Sequence, residues 1–478
     1  MNAVHQQDMR SRPMRRVRRL HFVGIGGSGM AGIAEVLCNL GYDVSGSDMK
    51  ASAVTERLQG MGVTVHFGHD AGHVRDVDAV VVSTAIDPTN PEVAAARAAR
   101  TPVVRRAEML AELMRFRYGI AIAGTHGKTT TTSLVAAVLA EGGLDPTFVV
   151  GGRVKSAGAN ARLGEGHYLV AEADESDASF LHLNPLIAAL TNIDADHLET
   201  YGGDFQKLLD TYVEFLQRLP FYGLAVICAD DAHNRALIGQ IGRPVMTYAL
   251  EADADFRARD LVAGEGGTRF AVEAPDGRHD DLFLAMPGRH NIANALAAIA
   301  IARELEVPWD AIARGLSGFQ GIGRRLEPCG ALTFGDAAVS LIDDYGHHPR
   351  ELEATFEAVR AAWTGRRLLV VFQPHRYTRT RDCFDDFCAV LSSADAVILC
   401  EVYPAGEQAI SGATSAALAT AMRARGKVVP VVVHTPADVV DLLPDVARDG
   451  DIVLTLGAGD IGTLPARLRE RFGAGATA

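Results

Sequence analysis

The segment Gly124-Thr125-His126-Gly127-Lys128-Thr129-Thr130 has the composition needed to hold a triphosphate. Glycines let backbone amides close on phosphate oxygens, a lysine reaches the β- and γ-phosphates, and a following hydroxyl can ligate magnesium. The loop is shorter than the strict G-x-x-x-x-G-K-[ST] pattern, because position 122 is Ile. An apolar strand pattern, Ile120–Ala123, precedes it, and a helix pattern, Thr131–Glu141, follows.

Two further segments carry carboxylates where such a site needs them. Tyr168–Glu172 reads as a strand running into Asp174, Glu175 and Asp177. Ligands of α/β nucleotide folds gather at the carboxyl ends of strands. A carboxylate there suits magnesium, a hard cation that takes oxygen ligands, and so crowded a set of acids would repel without one. The second segment, Leu190-Thr-Asn192-Ile-Asp194-Ala-Asp196-His197-Leu-Glu199, also ends a strand pattern. His197 is read there as a second metal ligand.

A different glycine loop opens the chain. Gly24-Ile-Gly26-Gly27-Ser28-Gly29 follows the strand pattern from Leu20 and leads into a helix pattern over Met30–Leu40. Such a loop brings amides to a diphosphate at a helix N-terminus. Asp48 stands where a ribose-binding acid would sit. This loop alone fits NAD, FAD or any nucleoside diphosphate, so a nicotinamide-dependent oxidoreductase is one alternative, and a non-catalytic nucleotide switch is another. The oxidoreductase leaves the lysine loop and the acidic segments without a role.

These motifs require strand–helix alternation to position them, and the chain supplies it three times. The reading is an α/β protein of three domains, each with a mainly parallel sheet. A flexible basic tail spans 1–19, with Arg10, Arg12, Arg15, Arg16, Arg18 and Arg19. A first domain spans 20–117, a central domain 118–322 and a last domain 323–478. Strands are expected at Asp43–Ser45, Val63–Phe67, Ala79–Ser83, Ile187–Leu190, Ala225–Cys228, Ser340–Asp343, Arg367–Phe372, Ala396–Cys400, Val428–Val433 and Asp451–Leu456. A hairpin region is expected within Phe256–Phe283, and an alanine-rich helix over Asn291–Glu304. The 478 residues suit two to four domains, and the net charge of −13 disfavours a nucleic-acid partner. Six dispersed cysteines without a C-x-x-C pair point to a reducing cytoplasm. No apolar run is long enough for a membrane span.

With these motifs in order, the chain resembles the Mur ligase family over essentially its whole length after the arginine tail. The likeness rests on Gly-Ile-Gly-Gly-Ser-Gly-Met, Gly-Thr-His-Gly-Lys-Thr-Thr-Thr-Thr, Glu-Ala-Asp-Glu-Ser-Asp-Ala-Ser-Phe, Asp-Ala-Asp-His-Leu-Glu-Thr-Tyr and Pro-Gly-Arg-His-Asn-Ile-Ala-Asn-Ala. Asp-Asp-Tyr-Gly-His-His-Pro and Gln-Pro-His-Arg-Tyr-Thr-Arg-Thr-Arg follow later. The resemblance implies a Rossmann-like first domain for a uridine nucleotide, a P-loop ATPase-like central domain and a Rossmann-like last domain that brings the amino acid. The shorter lysine loop is the form this family uses. The implied reaction is ATP-dependent ligation of L-alanine to the lactyl carboxylate of UDP-N-acetylmuramate, in peptidoglycan precursor synthesis. A relative that attaches a tripeptide to the same sugar nucleotide is the alternative. As that subfamily is understood, it carries an insertion after the acidic segment, absent here between Phe180 and Asn184, and lacks the His375-Arg376-Tyr-Thr-Arg379 stretch. The resemblance further implies a cytoplasmic monomer or homodimer with ATP as co-substrate and Mg2+ as cofactor.

The implied site residues follow motif by motif. Thr129, Glu172 and His197 would hold magnesium. His290, Asn291 and Asn294 match the stretch that meets adenine, and Arg324 and Asp343 match positions near phosphates and ribose. Gly26, Gly27, Ser28 and Gly29 would take the diphosphate, with Asp48, His69 and Ser83 as uridine candidates. Several Mur ligases carry a carbamoylated lysine past the metal histidine. Thr211–Gln217 has none, so no carbamate is expected, and Glu214 is a candidate substitute.

The chemistry suits these residues. A carboxylate must be phosphorylated before an amine can displace it, and both partners are anions. Lys128, helix-start amides and magnesium would cancel that repulsion. Alanine must then attack as a neutral amine, and an α-amine titrates at about 8, so a base helps. His347 is the first candidate base and His348 the other. Arg376 and Arg379 could clamp the alanine carboxylate through the planar guanidinium fork.

Overall fold

The computed structural model describes residues 14–155 and 159–473. Most of the basic tail, Arg10 and Arg12 included, lies outside them. The chain divides into two compact units. One comprises Met1–Asp260, Phe270–Phe283 and Ile292–Gln320, and the other comprises Leu261–Arg269, Leu284–Asn291 and Gly321–Ala478.

The first sheet uses β1 (Arg19–Val23), β2 (Asp43–Asp48), β3 (Thr64–Phe67), β4 (Ala79–Val82) and β5 (Val103–Arg105). They pair in the order β3-β2-β1-β4-β5, all parallel. Parallel strands need crossovers, and helices Ser28–Asn39, Ala53–Gly60 and Pro91–Ala98 supply them. The expected helix over Met30–Leu40 begins two residues earlier, at Ser28.

The central sheet holds β6 (Tyr118–Ala123), β7 (Thr147–Val154), β8 (Ala159–Arg162), β9 (Tyr168–Glu172), β10 (Ile187–Leu190), β11 (Leu224–Cys228), β12 (Val245–Ala249), β13 (Phe256–Gly264), β14 (Gly267–Ala274) and β15 (Gly277–Leu284). Its order is β15-β14-β13-β12-β11-β10-β6-β9-β7-β8. The inner strands are near-continuous apolar runs because both faces are covered, as parallel strands require. β13 begins with buried residues alternating with more exposed ones, the pattern of one solvated face. β6 lies between β9 and β10, and the register aligns Ile122 with Glu172 and Ala123 with Leu190. The lysine loop and both acidic segments therefore leave the sheet at one edge, side by side.

The last sheet contains β16 (Glu327–Phe334), β17 (Ala337–Asp344), β18 (Leu368–Phe372), β19 (Ala396–Cys400), β20 (Val431–Val433) and β21 (Ile452–Leu456). Its order is β16-β17-β21-β18-β19-β20, with only the edge strand β16 antiparallel. The strand expected over Val428–Val433 is shortened to three residues, since Pro430 offers no N–H to a ladder. Among the described residues, no helix is long and apolar enough to cross a membrane.

Candidate active site

The lysine loop is held from beneath by the end of β10. Thr125 N–H donates to the Asn192 carbonyl and His126 N–H to Asn192 Oδ1, both at 2.9 Å. Asn192 Nδ2 returns a bond to the His126 carbonyl at 3.0 Å, and Thr191 Oγ1 donates to the same carbonyl at 2.7 Å. Asp194 N–H donates to Thr125 Oγ1, and His126 Nε2 stands 3.3 Å from Asp194 Oδ2. Gly127 closes the loop at φ +84°, and a Cβ there would lie 2.6 Å from Asn294 Oδ1. This turn lets the helix begin at Lys128 (Lys128–Glu141), three residues before the expected start. Thr130, Thr131 and Thr132 are buried in its first turns, and Thr131 Oγ1 donates to Asn294 Oδ1 at 3.1 Å. Thr129 is the second residue of the same helix, its carbonyl accepting from Ser133 Oγ.

Lys128 Nζ donates to the Gly124 carbonyl at 2.6 Å, the Thr125 carbonyl at 3.1 Å and Glu175 Oε2 at 2.7 Å. Burial weighs against the ammonium, yet Glu175 and Asp174 together outweigh it and its pKa is raised. Burial pushes the Glu175 carboxyl up to about 7, against the attraction of Lys128.

Glu172 ends β9, and its Oε1 accepts from Gly151 N–H at 2.8 Å. A Cβ on Gly151 would come within 3.1 Å of Glu172 Oε2, so the glycine keeps the space beside that oxygen open. His197 takes a left-handed φ of +57° just before the 3-10 turn Leu198–Tyr201, with Nε2 3.6 Å from Asp196 Oδ2. Glu214 is more than half exposed and pairs with Arg218, which gives no support to a substitute role in the site.

The first glycine loop faces the β9 edge across a cavity of about 330 Å³. Gly24, Gly27, Gly29 and Ser83 line it from one side, and Gly151, Glu172, Asp174 and Asp177 from the other. Much of the loop is internally bonded. Gly24 and Ile25 N–H donate to the Ser47 carbonyl, and Gly26 N–H to Asp48 Oδ2 at 2.8 Å. Asp48 thus braces the loop and does not line the cavity. The amides at Ser28 and Gly29 belong to the first turn of the helix, where N–H groups have no intrahelical acceptor. His69 is also absent from the cavity lining. Its Nδ1 lies 3.0 Å from both Ser47 Oγ and Glu92 Oε2, in a buried cluster with His21 and His73. Burial pushes the Glu92 carboxyl up, but hydrogen bonds from His21, Ser47 and His73 outweigh it and hold the group down at about 2. Arg106 spans the two sides: its Nη2 is 3.5 Å from Asp174 Oδ2, and a Cβ on Gly29 would lie 3.2 Å from its Cδ. The sequence reading overlooked Arg106, Asn192 and Gly151. Only the Gly-Gly of β7 carried a local signal.

In the other unit, Arg324 sits at φ +60° and its Nε donates to Asp343 Oδ2 at 3.0 Å. Burial raises Asp343 to about 6, against Arg324 and a hydrogen bond from Thr455. His347 Nδ1 lies 3.2 Å from the Tyr345 carbonyl. A carbonyl only accepts, so Nδ1 carries the proton and Nε2 the lone pair. Burial depresses its pKa to about 4, so the imidazole is neutral at pH 7. His348 is buried, with Nε2 3.7 Å from Cys383 Sγ. His375 packs its ring 5.8 Å from that of His347 and stacks on Tyr403 at 5.5 Å, and burial lowers it to about 4. Arg376 takes φ +72° just before the helix Tyr377–Asp382, its N–H donating to the Tyr403 carbonyl. Arg379 lies within that helix and is buried. His290 and Asn291 start the helix Arg289–Glu304, which also carries Asn294. Asn291 Nδ2 donates to the Pro287 carbonyl, and burial lowers His290 to about 4.

The chain matches three family models and known proteins over most of its length. Residues 19–118 match the Mur ligase family catalytic domain, 122–302 the Mur ligase middle domain and 324–459 the Mur ligase, glutamate ligase domain. The chain is 62% identical over 460 residues to the UDP-N-acetylmuramate–L-alanine ligase of Halorhodospira halophila, covering 96% of this chain and 95% of that one. It is 56% identical over 464 residues to the Methylococcus capsulatus enzyme of the same name, covering 97% and 98%. The crystal structure of UDP-N-acetylmuramate-alanine ligase from Thermotoga maritima superposes with a TM-score of 0.80 at 29% identity, over 95% of this chain and 98% of that one. A murein peptide ligase from Psychrobacter arcticus, 24% identical over 96% and 100%, shares the fold at a TM-score of 0.70. The chain belongs to the Mur ligase family.

Proposed function

We propose that this enzyme forms the amide between L-alanine and the lactyl carboxylate of UDP-N-acetylmuramate, using ATP to make an acyl phosphate first. The observation that carries this reading is the shared cavity. A diphosphate-type glycine loop lines one side, and the strand end beside the lysine loop lines the other. A sugar nucleotide lying on the first can extend its carboxylate toward a triphosphate held on the second.

Lys128 and the amides of Gly127 to Thr130 hold the phosphate oxygens and offset charge as the phosphoryl group moves. Ser28 and Gly29 hold the diphosphate, Ser83 the neighbouring substrate surface, and His290, Asn291 and Asn294 the adenine. Arg324 and Asp343 serve the ribose and phosphates. Thr129, Glu172 and His197 offer hard oxygen and nitrogen donors, and the open space at Glu172 Oε2 fits a cation. A magnesium ion held by these residues would supply positive charge to offset that of the phosphates. His347, neutral and with Nε2 unprotonated, accepts the proton that alanine loses as its amine attacks. Arg376 and Arg379 hold the alanine carboxylate. The reaction is assigned to the cytoplasm.

The test is phosphate release from ATP with UDP-N-acetylmuramate, magnesium and a panel of amino acids and peptides. Release that depends on all components, with L-alanine the preferred amine, is expected. Phosphate release without amide formation refutes the reading, and preference for a tripeptide transfers it to the tripeptide-attaching alternative.

A further inference from the structure

Lys128 is already fully bonded in this structure. Two of its acceptors are carbonyls of its own loop, and the third is the carboxylate of Glu175. An ammonium has three protons to donate, so each bond it makes to a phosphate requires the loss of one of these. The carbonyl bonds are local and move with the loop. The Glu175 bond ties the loop to a different segment, 47 residues away.

Glu175 is buried, with 2% of its side chain exposed. The groups facing it from each packed element are few. Lys128 comes from the helix after the lysine loop, and Asp174, held by Arg106 at 3.5 Å, comes from its own segment. Tyr201, whose hydroxyl donates to the Glu175 carbonyl, comes from the 3-10 turn Leu198–Tyr201. Tyr212 comes from the helix Phe205–Gln217, and burial keeps its phenol protonated. Lys128 is therefore the cation that balances Glu175, and Asp174 adds repulsion.

We propose that Glu175 is a positioning residue that parks Lys128 before nucleotide binds, and that a bound triphosphate displaces it, so that Glu175 takes up one proton. This inference rests on the ATP-dependent reading above. The balance is simple: the Nζ–Glu175 hydrogen bond breaks, a Nζ–phosphate bond forms, and one solvent proton adds to a carboxylate oxygen of Glu175. A buried carboxylate that loses its counter-charge and gains a polyanion nearby binds protons more tightly. Burial holds Glu175 at about 7 while Lys128 is beside it, so the direction of the effect is fixed. At pH 6 it is mostly protonated before binding and little uptake remains. At pH 8 it is mostly ionised and uptake approaches one proton.

The experiment is calorimetric titration of the full-length enzyme with the magnesium complex of β,γ-imido-ATP. It is run at pH 6, 7 and 8 in two buffers of different ionisation enthalpy. Uptake rising from near zero at pH 6 toward one at pH 8 is expected. Affinity should then weaken by up to tenfold per pH unit above 7. Glu175→Gln should abolish both effects. Heats that do not differ between buffers at pH 8 overturn the proposal. So does uptake that persists in a folded Glu175→Gln variant. Should that variant not fold, the wild-type profile decides alone, since uptake without a midpoint near pH 7 is incompatible with Glu175. Failure of the analogue to bind at any pH overturns the ATP-dependent reading itself, whereas binding without proton uptake overturns only this inference.

Discussion

Gly127→Ala tests whether the lysine loop owes its shape to a single residue without a side chain. The native φ of +84° costs an L-residue about 1–2 kcal/mol. The added Cβ would sit 2.6 Å from Asn294 Oδ1, well inside any normal contact, so Asn294 must withdraw. Its bond from Thr131 Oγ1 is then lost, at about 1 kcal/mol. The sum is about 2–3 kcal/mol falling on the phosphate-binding turn, which converts to roughly 30- to 150-fold weaker ATP binding. Gly143 provides the control at the far end of the same helix. It has φ +77° but nothing within 4 Å of a built Cβ. Gly143→Ala should lower stability by about 1 kcal/mol through backbone strain and leave ATP binding intact. Calorimetric Kd values and thermal unfolding of both variants separate the two effects. Equal affinities for Gly127→Ala and wild type would refute the reasoning, as would equal losses in both variants.

Other outcomes follow from the same geometry. Asn192→Ala removes two bonds to His126 and should weaken ATP binding by about 1–2 kcal/mol, read as a rise in KM for ATP with KM for alanine unchanged. Arg379→Ala should cost about 2–4 kcal/mol in kcat/KM for alanine and little in ATP binding, checked by steady-state kinetics with each substrate varied. His290 and His347 are held at about 4, below the roughly 6.5 of an unfolded histidine. A depressed folded value gives stability that is present above pH 6.5 and lost as pH falls toward 4. Each should contribute about 2 kcal/mol of destabilisation at pH 5 relative to pH 8. Hydrogen exchange in peptides from β17 and the helix Pro349–Ala362, corrected for intrinsic rate, should show it, and His347→Gln should remove its share. Full protection of wild type at pH 5 would contradict the assignment of a neutral buried imidazole.

The parts of the fold legible in the sequence are those where burial leaves a one-dimensional trace. β6, β9, β10 and β11 are apolar on both faces and stand out as runs bounded by glycine or carboxylates. β5 and β12 are short, half-exposed strands, β7 is interrupted by Gly151-Gly152, β8 is four residues long, and the edge strand β16 is largely exposed. Such strands look like loops until the partner is known. The same limit applies to the site. Gly124, Gly127 and Lys128 are neighbours in sequence and act together. Asp48 was spaced like a ribose ligand, but spacing does not reveal that its carboxylate turns back onto Gly26 N–H. His69 reads as a uridine candidate because Glu92, its partner, lies 23 residues on. Arg106, Asn192, His375 and Tyr403 matter through contacts over long stretches of chain, and composition gives them no mark.

The placement of β6 between β9 and β10 has a wider consequence. Adjacent strands in any sheet stand about 4.8 Å apart, a spacing fixed by backbone hydrogen bonds. The lysine loop and the two acidic segments inherit that ruler, so the distance between phosphate grip and metal-type donors is independent of side-chain size. Mutation can alter what the outer loops recognise without disturbing the phosphoryl-transfer geometry. A change of amine or sugar nucleotide should therefore be attainable by grafting loops from relatives onto this core, while phosphate turnover from ATP survives the exchange.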